Sequence, residues 1–265
     1  MYLNNFFADD ANVMGFIRCK KMEEISFDIK IAFQPIVNCE TGEIYAYEAL
    51  VRGANGESAH DVIASHTPEK LYRFDQTCRV LAIDTATKLG INTKLSINFM
   101  PNAVFEPSSC IQITLAAAKK CQLPFGQIIL ELSETEKVID FKHLENIISS
   151  YKNEQFSMAI DDFGSGYSGL NLLVNFKPNI IKLDMGLIRN INTDKAKFAI
   201  VDGVVRTCHL LNILVIAEGV ETMAEYEALT KIGIHLFQGY LFAKPQTEAL
   251  PLVDFDAFTL NFLEK

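Results

Sequence analysis

Two hydrophobic rhythms alternate along the chain. Short β-branched and aliphatic runs recur at residues 31–37, 44–51, 94–99, 127–133, 157–163, 180–185, 214–220 and 236–241. Between most of them lie longer stretches, at 71–89, 107–121, 141–153 and 194–211, whose periodicity predicts helices with one buried face. Boundary residues agree with these periods. Thr67 and Pro68 supply an N-cap and a first-turn proline, Gly90 supplies a stop, and Thr222 with Glu225 forms a capping box that opens a further helix.

The first two runs are separated by a Thr41-Gly42 turn, which suits a hairpin rather than a crossover connection. From the third run onward strand and helix alternate, as a parallel sheet requires. The pattern predicts a modified TIM-like (β/α)8 barrel over residues 31–250 that opens with an antiparallel strand. Residues 1–30 have mixed polarity and read as a peripheral, helical lead segment. Residues 251–265 read as a tail packed on the barrel.

The ends of these runs carry the candidate chemistry. Seven of them stop at carboxylates or amides: YEAL with Glu48, SIN with Asn98, ELSE with Glu131 and Glu134, AIDD with Asp161 and Asp162, IKLD with Lys182 and Asp184, VIAEGVE with Glu218 and Glu221, and FQG with Gln238. A barrel gathers its strand ends on one rim, so these groups converge on a single acidic site. Strand parity puts Glu48, Leu50 and Arg52 on one face, and Lys182 and Asp184 on another shared face. Asp161 and Asp162 are adjacent and reach one site only if the strand ends there, as Gly164 suggests.

A lone acid at a strand end is ordinarily a solvated cap or an ion-pair partner, and Asp184 could simply pair with Lys182. The collected set is different. Eight carboxylates face only Lys182 and Arg52, and such a cluster must protonate or recruit cations. Its donors are oxygens, with one amide from Asn98 and no Cys or His, which favours Mg²⁺ or Mn²⁺ over zinc. An adjacent Asp pair also suits two metals, one carboxylate bridging while the other binds a single ion.

Composition narrows the partners. A length of 265 residues matches one barrel, and 49% hydrophobic content suffices for a large core. The net charge of −9 argues against nucleic acid as a partner. Six cysteines without a CxxC pair predict reduced thiols, and no run is long enough to cross a bilayer, so a soluble cytoplasmic protein is expected. The five histidines lack ligand spacing.

The strings YEALVR, LSIN, ELSE, DDFGSGYSGL, IKLD, AEGVET and QGYLF, in this order from about residue 31 to 245, resemble the EAL family of cyclic di-GMP phosphodiesterases. The wording EALVRG and SINFMPNAVFEP is similar to EAL domains attached to BLUF photoreceptors, although the chain has no room for a flavin-binding domain. The resemblance implies hydrolysis of cyclic di-GMP to linear pGpG with two divalent ions. It implies that Glu48, Asn98, Glu131 and Asp161 hold one ion, and Asp161, Asp162 and Glu218 the other. Lys182 and Glu221 fall where the family orients the attacking water. Gln34, Arg52, Asp184 and Gln238 fall at substrate-contacting positions, and Glu134 at the anchor of a mobile loop.

Two positions depart from the family pattern, Ser165 where Thr is usual and Gly169 where Ser is usual, while every metal position is intact. A lysine among carboxylates stays charged and makes a poor base. Lys182 is therefore expected to position the water and stabilise charge on the phosphorane oxygens. The family also pairs through the loop after its fifth barrel strand, so a homodimer is expected. Alternatives from other classes are a cyclic di-GMP receptor without turnover and a barrel that acts through protein contacts. No sensory or output domain is visible, so a stand-alone EAL protein is expected.

Overall fold

A computed structural model of the chain describes residues 2–7, 28–104, 107–134, 141–166 and 169–259. Helix α1 (Tyr2–Phe6) is followed by β1 (Ile29–Asn38) and β2 (Glu43–Gly53), an antiparallel hairpin in which Gln34 lies opposite Glu48. Gly42 takes φ +69° in the turn and donates its N–H to the Asn38 carbonyl, a left-handed conformation that favours glycine. Helix α1 takes up five residues of the segment read as a helical lead, and residues 8–27 of that segment lie outside the described residues.

Helix α2 (Ala59–Ala64) is short and capped by Ser58, and its few residues left no legible period in the sequence. Helix α3 (Pro68–Lys88) starts after Thr67 with its proline in the first turn and leads to β3 (Lys94–Asn98). The remaining order is α4 (Pro107–Lys120), β4 (Ile128–Ser133), α5 (Phe141–Asn153), β5 (Ser157–Phe163), α6 (Gly169–Phe176), β6 (Ile180–Leu183), α7 (Met185–Ile188), α8 (Lys195–Leu210), β7 (Leu214–Ala217), α9 (Met223–Ile232), β8 (Leu236–Phe237), β9 (Gln246–Thr247) and α10 (Asp256–Thr259).

Strands β2 to β8 pair in parallel, and β1 closes the barrel by pairing antiparallel with both β2 and β8. The expected (β/α)8 barrel with an antiparallel first strand is therefore the observed fold. The last strands are shorter than their hydrophobic runs, because 218–220 and 238–241 leave the ladder to shape the mouth.

Two layers fill the barrel. Ile36, Ala46, Ile129, Ala159, Ile180, Ile216 and Leu236 form an aliphatic plug at one end. Two residues along the same strands stand Gln34, Glu48, Glu131, Asp161, Lys182, Glu218 and Gln238. Side chains two apart share a face, so each strand that delivers an aliphatic residue to the plug delivers a polar one to the next layer. Outside the barrel, helices bury the main core. Phe258 of α10 packs on Phe242 and Tyr226.

Candidate active site

Lys182 sits at the centre of the polar layer and is completely buried, with 0% exposure. Its Nζ lies 3.1 Å from Glu48 Oε2, 3.1 Å from Glu131 Oε2, 3.3 Å from Asp161 Oδ1 and 2.6 Å from Glu218 Oε1. Three strands and the segment that leaves β7 thus aim carboxylates at one ammonium. Burial pushes the Lys182 ammonium toward its neutral form, yet Asp161, Glu131, Glu218 and Glu48 together hold its pKa well above the usual lysine value.

The acids divide in their response. Burial lifts Glu131 and Glu218 well above the ordinary carboxylate range and Asp161 above it, with neighbouring carboxylates adding to the rise and Lys182 opposing it. Burial also raises Glu48. There Lys182 and the Gln238 and Asn98 hydrogen bonds outweigh it, and the net direction is down. The ring therefore carries more negative charge than one lysine can neutralise, and it favours either protons or further cations.

Hydrogen bonds orient these acids. Asn98 Nδ2 donates to Glu48 Oε1 at 3.0 Å, and Gln238 Nε2 donates to Glu48 Oε2 at 2.6 Å. Gln238 also donates to Gln34 Oε1 at 3.1 Å, and Gln34 in turn donates to the Ala243 carbonyl at 3.1 Å. Ser96 Oγ donates to Glu131 Oε1 at 2.5 Å, and Ser133 Oγ to Asp162 Oδ2 at 2.9 Å. The two serines were not singled out from the sequence. Parity could have found them, since Ser96 lies two before Asn98 and Ser133 two after Glu131.

Asp161 and Asp162 both reach the site, close to where the strand ends. Strand β5 runs on to Phe163. Its register with β6 shifts between Ile160 and Phe163, and Asp162 adopts φ +54°. A left-handed residue within a bulge turns the second carboxylate toward the face of the first. The Asp162 N–H donates to Asp161 Oδ1 at 3.0 Å.

Carboxylate oxygens of Glu48, Glu131 and Asp161 lie within 4.8 Å of one another, and so do those of Asp161, Asp162 and Glu218. Asp161 belongs to both groups. Two all-oxygen clusters joined by one carboxylate match the donor chemistry of Mg²⁺ or Mn²⁺. Asn98 lies beside the first cluster, where its amide nitrogen is committed to Glu48 and its amide oxygen, among the described residues, makes no hydrogen bond within the ring.

The other singled-out residues take different places. A cleft of about 320 Å³ over the ring is lined by Gln34, Glu48, Asp161, Asp162, Asp184, Glu218, Glu221 and Gln238, with Met185 and Tyr240 among its walls. Asp184 does not pair with Lys182; it caps α7 by accepting the Gly186 N–H at 2.8 Å. Glu134 is buried and accepts the Gly164 N–H at 2.6 Å, at the start of the glycine-rich loop. Arg52 is half-buried and donates to the Val51 carbonyl at 2.8 Å, so its guanidinium joins no ion pair with the ring among the described residues. Among the described residues, the buried Gln238 Oε1 has no hydrogen-bond partner.

Comparison with known proteins places this geometry. The stand-alone versatile EAL protein of Vibrio cholerae O395, in its c-di-GMP bound form, superposes with a TM-score of 0.85 at 52% identity, over 88% of this chain and 99% of that one. BlrP1 of Klebsiella pneumoniae, in a manganese and cyclic di-GMP complex, superposes with a TM-score of 0.81 at 34% identity, over 88% of this chain and 59% of that one. The blue light- and temperature-regulated antirepressor BluF of Escherichia coli is 33% identical over 223 residues, 84% of this chain and 55% of that protein. The probable cyclic di-GMP phosphodiesterase PdeD of Escherichia coli is 34% identical over 255 residues, 91% of this chain and 45% of that protein. The chain thus spans about half the length of these two curated relatives. Among the described residues, no helix is long and apolar enough to cross a membrane. With residues 24–245 matching the EAL domain and the acidic ring at the barrel mouth, the chain belongs to the EAL domain family.

Proposed function

We propose that the chain hydrolyses one phosphodiester of cyclic di-GMP to linear pGpG, with two divalent ions, Mg²⁺ or Mn²⁺, held at the barrel mouth. The observation that carries this reading is the pair of three-carboxylate clusters that share Asp161. Glu48, Asn98, Glu131 and Asp161 would hold one ion, and Asp161, Asp162 and Glu218 the other. Bound ions of this kind lower the pKa of water and offset charge developing on phosphoryl oxygens. Related EAL structures in manganese or calcium complexes with cyclic di-GMP support cyclic di-GMP as the ligand and a divalent ion as the cofactor class.

The chain's own residues then divide the work. Lys182 remains an ammonium, so it orients water and stabilises negative oxygen rather than accepting a proton. Glu221 lines the cleft beside Glu218, and in this reading it would orient the attacking water. Gln34, Arg52, Asp184 and Gln238 serve the nucleotide, with Gln238 Oε1 as a buried acceptor awaiting a donor. Glu134 anchors the loop that starts at Gly164. Linear pGpG keeps a 5′ phosphate, so water adds to phosphorus as the P–O3′ bond breaks and O3′ takes a proton.

Residues 31–250 form the working unit in this reading, with 1–30 and 251–265 as flanks, in a cytoplasmic homodimer. Leu170 and Val174, 67% and 71% exposed on α6, would offer such a dimer an apolar contact next to the loop after β5. The decisive assay follows pGpG formation from cyclic di-GMP with Mn²⁺ added or chelated, for wild type and Glu48→Ala. Equal rates for the two proteins would dismiss the site. Nucleotide binding without product would favour a receptor, and no nucleotide binding would favour a protein-interaction barrel.

A further inference from the structure

The loops that leave β6 and β7 meet beside the acidic ring, and a buried carboxylate joins them. Glu225 of α9 is 1% exposed and accepts three backbone N–H groups. Its Oε1 takes the Asn190 N–H at 2.9 Å, and its Oε2 takes those of Glu221 and Thr222 at 3.1 Å each. Asn190 belongs to the loop after α7, whereas Glu221 and Thr222 belong to the loop after β7. One side chain therefore fixes the spacing between two loops of the mouth.

Arg189 spans the same junction. Its Nη2 lies 2.9 Å from Glu221 Oε1 and its Nη1 lies 3.5 Å from Glu225 Oε1. The Arg189 carbonyl accepts Lys197 Nζ at 2.8 Å, so its backbone is tied to α8 independently of its guanidinium. Glu221 has reason to need such a partner. Its side chain is 43% exposed, and Glu48, Asp161, Asp162, Asp184 and Glu218 line the same cleft, so like charge drives a free carboxylate outward into solvent.

We propose that Arg189 is a positioning residue that holds the Glu221 carboxylate at the cleft against this repulsion, while Glu225 fixes the backbones that carry both. The inference rests on the phosphodiesterase reading of the mouth and adds to it a residue that touches neither substrate nor the acidic ring. A planar fork suits the task, because two nitrogens reach two carboxylates at once, which a lysine ammonium imitates only in part.

The test measures cyclic di-GMP hydrolysis with saturating Mn²⁺ in wild type, Arg189→Met, Arg189→Lys, Glu221→Gln and the Arg189→Met/Glu221→Gln double variant. A misplaced water-orienting group costs on the order of tenfold or more in kcat. Arg189→Met should show that loss with KM within about twofold and Tm within roughly 2 °C, because Glu225 still clamps the loops. Arg189→Lys should recover part of the rate. In the Glu221→Gln background Arg189→Met should cost nothing further, since the two residues act as one unit. Additive losses, an unchanged kcat, or a Tm drop that accounts for the lost rate would overturn the proposal. Metal-free crystal structures of wild type and Arg189→Met, in which no bound cation offsets the repulsion, decide it without turnover: Glu221 should leave the cleft in the variant, and its staying in place would end the idea. If wild type itself makes no pGpG, the phosphodiesterase reading fails, and this crystallographic comparison still decides whether Arg189 holds Glu221 in place.

Discussion

Replacing Lys182 by Met removes one positive charge from the middle of four carboxylates while nearly preserving side-chain length. The site is fully buried, so the lost charge has no solvent to replace it. Glu48, Glu131, Asp161 and Glu218, now 2.6 to 3.3 Å from the ammonium, would face one another unscreened. Removing one partner from a buried ion pair costs about 3–5 kcal/mol. For a chain of this size that corresponds to a fall in Tm of roughly 10 °C.

The pH dependence of this deficit has a definite sign. Glu131, Glu218 and Asp161 already have folded pKa values raised above the ordinary range, mainly by burial. An acid raised in this way favours the folded state at pH below its unfolded value, and that contribution disappears as pH climbs through the folded value. Lys182 itself stays charged throughout the mildly acidic and neutral range, because its pKa is held up. In Lys182→Met the deficit should therefore be largest near pH 8 and shrink toward pH 5, where protons replace the ammonium. Differential scanning calorimetry in EDTA across that range measures it, and added Mn²⁺ should restore much of the loss by binding the folded state. A variant as stable as wild type in EDTA at pH 8 would refute the claim that the ammonium holds the ring together.

Other consequences follow from the same geometry. In wild type, protons and Mn²⁺ compete for the raised carboxyls, so Mn²⁺ affinity by titration calorimetry should weaken as pH falls from 8 to 5; a pH-independent affinity would contradict the raised values. Ser96→Ala frees Glu131 from a 2.5 Å hydrogen bond and should weaken Mn²⁺ binding by about tenfold while leaving the circular dichroism spectrum unchanged. Gly239→Ala would place a Cβ 2.0 Å from the Val220 carbonyl oxygen and 2.4 Å from its nitrogen, so a loss of about 1–3 kcal/mol or more is expected in urea unfolding. Arg79→Leu strands the buried Asp75 carboxylate, which now takes 2.8 and 3.1 Å bonds from the guanidinium, and should cost about 3–5 kcal/mol by the same measurement.

Much of this molecule was legible in the order of its residues. The alternation of short β-branched runs with helical periods dictated a parallel barrel, because only a crossover helix returns the chain for the next parallel strand. The Thr41-Gly42 turn dictated the antiparallel start for the opposite reason. The strand-end acids were legible as one site because a barrel gathers its strand ends on one rim; the structure adds that Glu48, Glu131, Asp161, Lys182 and Glu218 each lie two residues beyond an aliphatic plug residue. The shortest elements were harder to read: α2 and α7 are too short for a helical period to declare itself.

What the order of residues could not settle depends on neighbours distant in sequence. Strand β5 ends at Phe163, as its run and Gly164 suggested, but the bulge that turns Asp162 inward was not legible, because it shows only as a register shift against β6 with Asp162 at φ +54°. The pairing suggested between Asp184 and Lys182 gave way to four acids from β2, β4, β5 and the end of β7, which only closure of the barrel brings within reach of one ammonium. The grip of Arg189 and Glu225 on Glu221 likewise arises where two loops meet. Hydrophobic period decides which elements form and which face each side chain takes. Partner, charge state and reach at the mouth are decided by burial and electrostatics, which act through space and exist only once the sheet has closed.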